Sequence, residues 1–308
     1  MTNTVFVEEI RDWDTWGRIF QHIPSFEKLI FKIFEKENLK YTGISHLTAG
    51  SNAVFKVDNL VVKIFAPIES GFDTEIDYNS ELLGMKRAMN LGINIPNVTA
   101  ASFIEDKYLF RYIIMDYIDG KDAKDILSSY SPNQKIEFVR QLKENLDKMN
   151  GEFEAEHIFV DVKERILTTT RWNIFNNKIV SQVKELVSTY DMQSKVYVHG
   201  DITGDNVMIT RNEMLYIIDF ADGRIAPKEY EFPPILFDLF DFDNLMISEF
   251  IGNQNINNFV EKCFYGILMH EFGSYFVKLI YERIIKKEIS ELTNILEIKE
   301  VLLNLFTK

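Results

Sequence analysis

The chain has 308 residues, with 34 Lys and Arg against 47 Asp and Glu, a formal net charge of −13. That charge repels nucleic acid and anionic membrane surfaces and attracts cationic ligands, so neither nucleic acid nor membrane is an expected partner. A hydrophobic content of 46% without any run of 18 apolar residues excludes a membrane-spanning helix and fits a globular enzyme long enough for two lobes. The opening MTNTVFVEEIRDWD lacks the basic start and apolar core of a signal peptide. Cys263 is the only cysteine, which rules out an internal disulfide, reads as a small core residue, and with the missing signal predicts a cytoplasmic protein. Five scattered histidines give no zinc-type spacing.

The first forty residues read as helices. In SFEKLIFKIFEKENL, Phe26, Leu29, Ile30, Ile33 and Phe34 recur at intervals of three and four, one helical face, and Ser25 stands where an N-cap is expected. The β-branched runs ISHLTAGSNAVFKVD and NLVVKIFA, broken at Gly50-Ser51-Asn52 and Asp58-Asn59, predict antiparallel strands with turns. A helix from about Thr74 to Asn90 ends at Leu91-Gly92, ahead of Pro96. YLFRYIIMDYI predicts a buried strand broken at Asp119-Gly120. Beyond residue 121 the pattern is helical, interrupted by VYVHGDITGDNVMIT and MLYIIDFADG. The expectation is an α+β chain: a small antiparallel-sheet lobe, a short connector near 116–120 and a larger helical lobe.

The two interruptions carry the chemistry. Val207 to Thr210 and Leu215 to Ile218 are apolar runs joined by a turn, which predicts a hairpin. Asn206 then lies just before one strand and Asp219 just after its partner, so an amide oxygen and a carboxylate meet at one end. Two hard oxygen ligands with open positions suit Mg²⁺ bound to nucleotide phosphates. Asp201, on the preceding loop, falls where an acceptor hydroxyl would sit, the arrangement that phosphoryl transfer requires.

His199-Gly200-Asp201 with Asn206, followed by Ile218-Asp219-Phe220, resembles the motifs of the aminoglycoside phosphotransferase family, which shares the protein-kinase fold. The resemblance spans residues 44 to 240 and implies a two-lobed protein-kinase-like fold, with an N-terminal lobe over 1–117 and a C-terminal lobe over 118–308. It implies a nucleotide-covering loop at Gly50, Ser51 and Asn52, and Lys63 as the lysine that holds the α- and β-phosphates. Glu81 resembles the helix glutamate that pairs with that lysine, with Glu75 a second carboxylate nearer the start of the helix. In IIMDYIDGKD the backbone of Asp116 and Ile118 would bond the adenine, with Met115 behind it. Asp201 would be the base, Asn206 and Asp219 the metal ligands, and ATP or GTP the donor.

Departures narrow the reading. Gly200 and Ala221 replace the arginine and glycine that protein kinases carry there, and no Ala-Pro-Glu segment follows Asp219, which disfavours a protein substrate. HGDITGDN and DFADGRIAPKEYEFP look closest to the hygromycin-type members. His199 reads as a hydrogen-bonder that braces the loop. Asp205 and Asp222 read equally as turn residues or acceptor-side carboxylates. The acids of EYEFPPILFDLFDFDNLMISEF, with Glu231, Asp238 and Asp241 foremost, suit an amine-bearing acceptor; the alternative is an amphipathic helix pair with Leu236, Phe237 and Phe240 inward. HEFGSYF either closes that pocket or is core.

The expected function is phosphoryl transfer to a small cationic acceptor, an aminoglycoside first. A kinase of choline, an amino-sugar or a similar metabolite is the first alternative, and a non-catalytic nucleotide-binding interaction protein the second. Monomer and homodimer are both compatible with the sequence.

Overall fold

The computed structural model describes residues 4–48, 50–151, 161–192 and 195–307. Ala49 of the expected covering loop and the first three residues of the expected helical stretch lie outside the described residues. The chain forms two compact units, Met1–Leu83 with Ile95–Asp119, and Gly84–Asn94 with Gly120–Lys308.

The first unit carries helices α1 (Trp13–Ile19) and α2 (Ile23–Lys36), strands β1 (Ser45–His46), β2 (Ala53–Val57) and β3 (Leu60–Ile64), the first half of helix α3 (Glu75–Asn90), and strands β4 (Val98–Glu105) and β5 (Leu109–Asp116). The strands make one antiparallel sheet in the order β1-β2-β3-β5-β4. Asp58 turns the β2–β3 hairpin in the left-handed region at φ 59°, a conformation Asp tolerates better than most side chains. The predicted apolar face of α2 is buried, and Phe26, Ile30 and Phe34 share a core with Phe55, Val62 and Tyr112 of the sheet.

Three readings change. Residues 4–12 are not helical: the Val5 and Phe6 amides donate to the Asp106 carboxylate at 3.0 and 2.8 Å, and Phe6 is fully buried. Tertiary anchoring there overrides local preference. Helix α2 starts earlier than expected, with His22 as N-cap and Pro24 inside the first turn; Ser25 is helical and donates its hydroxyl to Glu8 at 2.9 Å. Strand β4 has no counterpart in the sequence reading. Its VTAASFIE is largely exposed and shows no clean alternation of buried and exposed positions, and it pairs with β5 as the first arm of a hairpin.

The second unit holds strand β6 (Gly120–Asp122), helices α4 (Ala123–Ile126), α5 (Pro132–Met149), α6 (Val162–Thr168) and α7 (Asn177–Thr189), and strands β7 (Val196–Val198), β8 (Val207–Thr210), β9 (Leu215–Ile217) and β10 (Arg224–Ala226). Helices α8 (Asn244–Ile251), α9 (Ile256–Met269), α10 (Gly273–Ile280) and α11 (Glu297–Phe306) complete it. Ser131 and Gln134 cap α5 reciprocally, with Pro132 in the first turn, a start signal in the sequence itself. The β8–β9 hairpin forms as expected and β6 extends it, while β7 pairs antiparallel with β10. Leu236, Phe237 and Phe240 are buried, in a π-helical turn (Pro234–Leu239) and its C-cap. Among the described residues, no helix is long and apolar enough to cross a membrane.

Candidate active site

In the first unit, β3 places Lys63 beneath α3, where its ammonium meets the Glu81 carboxylate at 2.5 Å with side chains 5% and 1% exposed. Burying both charges is tolerable only because each neutralises the other. Glu75, the second carboxylate on α3, pairs with Arg111 at 2.6 Å in a half-exposed position. In the turn before β2, Asn52 is buried and Gly50 exposed. The Ser51 carbonyl accepts a hydrogen bond from the Trp16 indole at 2.9 Å, so α1 ties the loop down. Met115 is buried at the end of β5, and the Asp116 amide already donates to the Asn97 carbonyl at 3.0 Å. That amide is therefore engaged within the protein.

In the second unit, the hairpin end and the 199–201 loop form one cluster. The Ile218 amide donates to the Asn206 carbonyl at 3.0 Å, one rung past the Val207–Ile217 pair, which puts Asn206 and Asp219 at the same hairpin end. Asp219 takes the left-handed conformation at φ 61°, uncommon for a residue with a Cβ and frequent at functional turns. The Asn206 amide nitrogen donates to the Asp201 carboxylate at 2.7 Å and to its carbonyl at 2.9 Å. This engages the nitrogen and leaves the amide oxygen as the atom suited to a cation. Burial, then the charges of Asp222, Asp219 and Asp238, push the Asp201 carboxyl up to about 8. Crowded carboxylates repel one another's charge in this way, and a cation would relieve it.

Among the described residues no three His, Cys, Asp or Glu side chains cluster as a self-sufficient metal site. Asn206 and Asp219 supply two hard oxygens, which fits Mg²⁺ only if phosphate and water oxygens complete its octahedron.

The loop is clamped from several sides. The His199 ring donates from Nε2 to the Ile218 carbonyl at 3.1 Å, and its Nδ1 accepts from the Asp201 amide at 3.2 Å, a neutral imidazole in one tautomer. Gly200 sits at φ +81°, and a Cβ there would meet the Asp222 carbonyl at 2.7 Å, so this turn requires glycine.

The acidic residues separate into distinct roles. Glu231, expected at the acceptor, is 1% exposed and accepts from the His199 and Gly200 amides at 2.6 and 3.1 Å and from Asn150 at 3.3 Å. It braces the loop from inside and is not placed to meet an acceptor. Asp238 accepts from the Gly204 amide at 2.9 Å, and burial pushes its carboxyl up. Asp205 pairs with Lys124, and Asp241 with Arg283, both near the surface. Asp222 pairs with Arg224 at 3.1 Å, and Arg224 also reaches Glu271 at 3.2 Å, which Arg165 and Arg171 share.

The sequence reading missed Trp16, Arg224 and Glu271. The signal for Glu271 was available in HEFGSYF, where two polar residues interrupt an apolar run; Trp16 has no local signal, because its partner lies 35 residues away.

A family model described as the phosphotransferase enzyme family matches residues 47–247, which hold Lys63, Glu81, Asp201, Asn206 and Asp219. The chain belongs to this phosphotransferase family. It is an enzyme of the small-molecule kinase class with the kinase-like α+β fold. Solved structures of similar fold include a GDP complex of aminoglycoside 2'-phosphotransferase-IIIa, at 17% identity and a TM-score of 0.61, covering 93% of this chain and 99% of that one. An amicoumacin kinase bound to AMP-PNP and Ca²⁺ aligns at 12% identity and a TM-score of 0.63, covering 86% and 95%. A choline/ethanolamine kinase family protein from Mesorhizobium loti aligns at 13% identity and a TM-score of 0.54, covering 91% and 100%. No curated protein matches the sequence significantly.

Proposed function

We propose that this phosphotransferase moves the γ-phosphoryl group of ATP or GTP, with Mg²⁺, to a hydroxyl of a small cationic acceptor. An aminoglycoside is the first candidate, which would make the protein a resistance enzyme. The observation that carries the reading is the Asp201–Asn206 contact at the hairpin end shared with Asp219. Such a set joins an acceptor-side carboxylate to two metal-side oxygens, which is the division of labour in phosphoryl transfer. The nucleotide complexes among the fold neighbours support a nucleotide donor.

In this reading Lys63, held by Glu81, neutralises charge on the α- and β-phosphates, and Asn206 and Asp219 hold the Mg²⁺. Bound there, Mg²⁺ would neutralise charge building on the phosphate oxygens. With the Asp219 charge committed to a cation, one of the repulsions raising Asp201 is removed. Asp201 would then accept the proton of the acceptor hydroxyl as its oxygen bonds the γ-phosphorus and the bond from that phosphorus to the β,γ-bridging oxygen breaks, releasing the nucleoside diphosphate. Asn206 fixes which carboxylate oxygen faces the acceptor by binding Oδ2.

The likeness to a choline/ethanolamine kinase family protein favours a second reading, a metabolite kinase with the same donor chemistry. Nucleotide turnover with Mg²⁺ against aminoglycosides, choline and amino-sugars separates the two: the acceptor that raises turnover names the class. Nucleotide binding with no acceptor-dependent turnover anywhere on the panel would instead favour a non-catalytic role.

A further inference from the structure

The Gly200–Asp201 peptide unit is gripped at both polar atoms by a histidine. Its N–H donates to His199 Nδ1 at 3.2 Å, and its C=O accepts from His270 Nε2 at 2.9 Å. His270 lies 70 residues downstream in HEFGSYF and outside the family match, is fully buried, and ends α9. Its Nδ1 accepts from the Phe272 amide at 3.0 Å, so the proton resides on Nε2, the atom that reaches Gly200. The ring stacks on Tyr230 at 4.4 Å, and the Tyr230 hydroxyl in turn accepts from the Glu271 amide at 3.1 Å. The orientation of the imidazole is thus fixed on its edge, its face and its neighbour.

We infer that His270 is a positioning residue, which sets the plane of the peptide that carries Asp201 and so the aim of the Asp201 carboxylate. The inference rests on the proposed role of Asp201 as base. A carboxylate carried three bonds from the nitrogen of a flexing peptide loses alignment with the acceptor, and an error of about 1 Å costs on the order of 100-fold in rate. Gly200 brings no side chain of its own, so the plane of its peptide is set by the groups that hold its N–H and C=O.

Two substitutions divide the ring's two contacts. In His270→Gln the terminal amide donates near the position of Nε2 and can still reach Gly200. In His270→Asn the shorter amide reproduces Nδ1 and keeps the Phe272 contact, but falls short of Gly200. The expected result is a kcat within about threefold of native for His270→Gln and a 10- to 100-fold loss for His270→Asn, with nucleotide KM changed less than twofold in both. The Asp201 amide chemical shift, read in ¹⁵N-aspartate-labelled protein, is expected to move in His270→Asn and to stay near native in His270→Gln. Equal kcat losses in both variants that track thermal stability would overturn the inference, as would an unmoved Asp201 amide in His270→Asn. If the native protein turns over no acceptor, the proposed function fails separately, and the amide shift alone still decides whether His270 holds the Gly200–Asp201 peptide.

Discussion

Lys63 and Glu81 meet at 2.5 Å with both side chains almost wholly buried, whereas Glu75, on the same helix, pairs with Arg111 near the surface. The two carboxylates therefore differ sharply in what their removal costs. Glu81→Gln takes the carboxylate partner from a buried ammonium and is expected to cost about 3–5 kcal/mol. Glu75→Gln is expected to stay below about 1 kcal/mol. Urea denaturation checks both. A paired Lys63→Met, Glu81→Leu variant should recover much of the stability without recovering nucleotide affinity, since the apolar pair packs but binds no phosphate.

Trp16, on α1, holds the Ser51 carbonyl at 2.9 Å. Trp16→Phe keeps most of the buried ring and deletes the donor. Nucleotide KM is expected to rise about 3- to 10-fold, matching the loss of one hydrogen bond of about 1 kcal/mol, while kcat moves less than twofold. Steady-state kinetics in the nucleotide measure this directly.

Gly200→Ala should be among the most damaging small substitutions in the chain. It forces a Cβ to 2.7 Å from the Asp222 carbonyl at a backbone angle of φ +81°. A loss of at least about 2 kcal/mol is expected from strain and displacement, with kcat falling by 10-fold or more. Gly50→Ala, where a Cβ would meet nothing, is the control and should leave stability within about 1 kcal/mol.

Two buried groups give the pH dependence opposite signs. Burial, with help from Arg224, lowers His270 to about 3 from its ordinary 6.5, so between those values the unfolded chain binds the extra proton and stability falls as pH falls. Burial raises Glu231 to about 7 from 4.5, against the pull of the His199, Gly200 and Asn150 donors. Between 4.5 and 7 the folded state holds that proton, and stability falls as pH rises. These two contributions offset each other from pH 5 to 7, while the raised Asp201 carboxyl leaves the native protein losing stability as pH rises. Single variants expose them: moving from pH 5 to 7 should raise native stability relative to His270→Gln, and lower it relative to Glu231→Gln, each by about 2 kcal/mol. Denaturant titrations at the two pH values read both differences.

Much of this site was legible in the sequence because its residues are close along the chain. Asp201, Asn206 and the hairpin ending at Asp219 fall within nineteen positions, and strand alternation alone brings Asn206 and Ile218 together. Lys63 and Glu81 required only a strand followed by a helix. The acidic stretch after Asp219 was harder. Glu231 and Asp241 are both acids among aromatics, yet one is sealed under the loop and the other pairs with Arg283 near the surface. No periodicity separates them, because a 3₁₀ turn at Lys228–Glu231 and the π-helical turn after it break the helical spacing. Residues 4–12 were missed because they owe their shape to a partner distant in sequence, Asp106, whereas β4 is the largely exposed first arm of a hairpin with β5.

In the proposed mechanism Asp201 receives the acceptor's proton while Asn206 and Asp219 hold the cation. Acceptor-dependent transfer measured beside Mg²⁺–nucleotide binding, in Asp201→Asn and Asp219→Ala, tests it most directly. Asp201→Asn is expected to bind Mg²⁺–nucleotide within a few fold of native and to lose at least 100-fold in kcat, while Asp219→Ala loses the metal-dependent part of binding itself. An Asp201→Asn enzyme that still transfers at near-native rate, or an Asp219→Ala protein whose nucleotide binding keeps its full dependence on Mg²⁺, would contradict it.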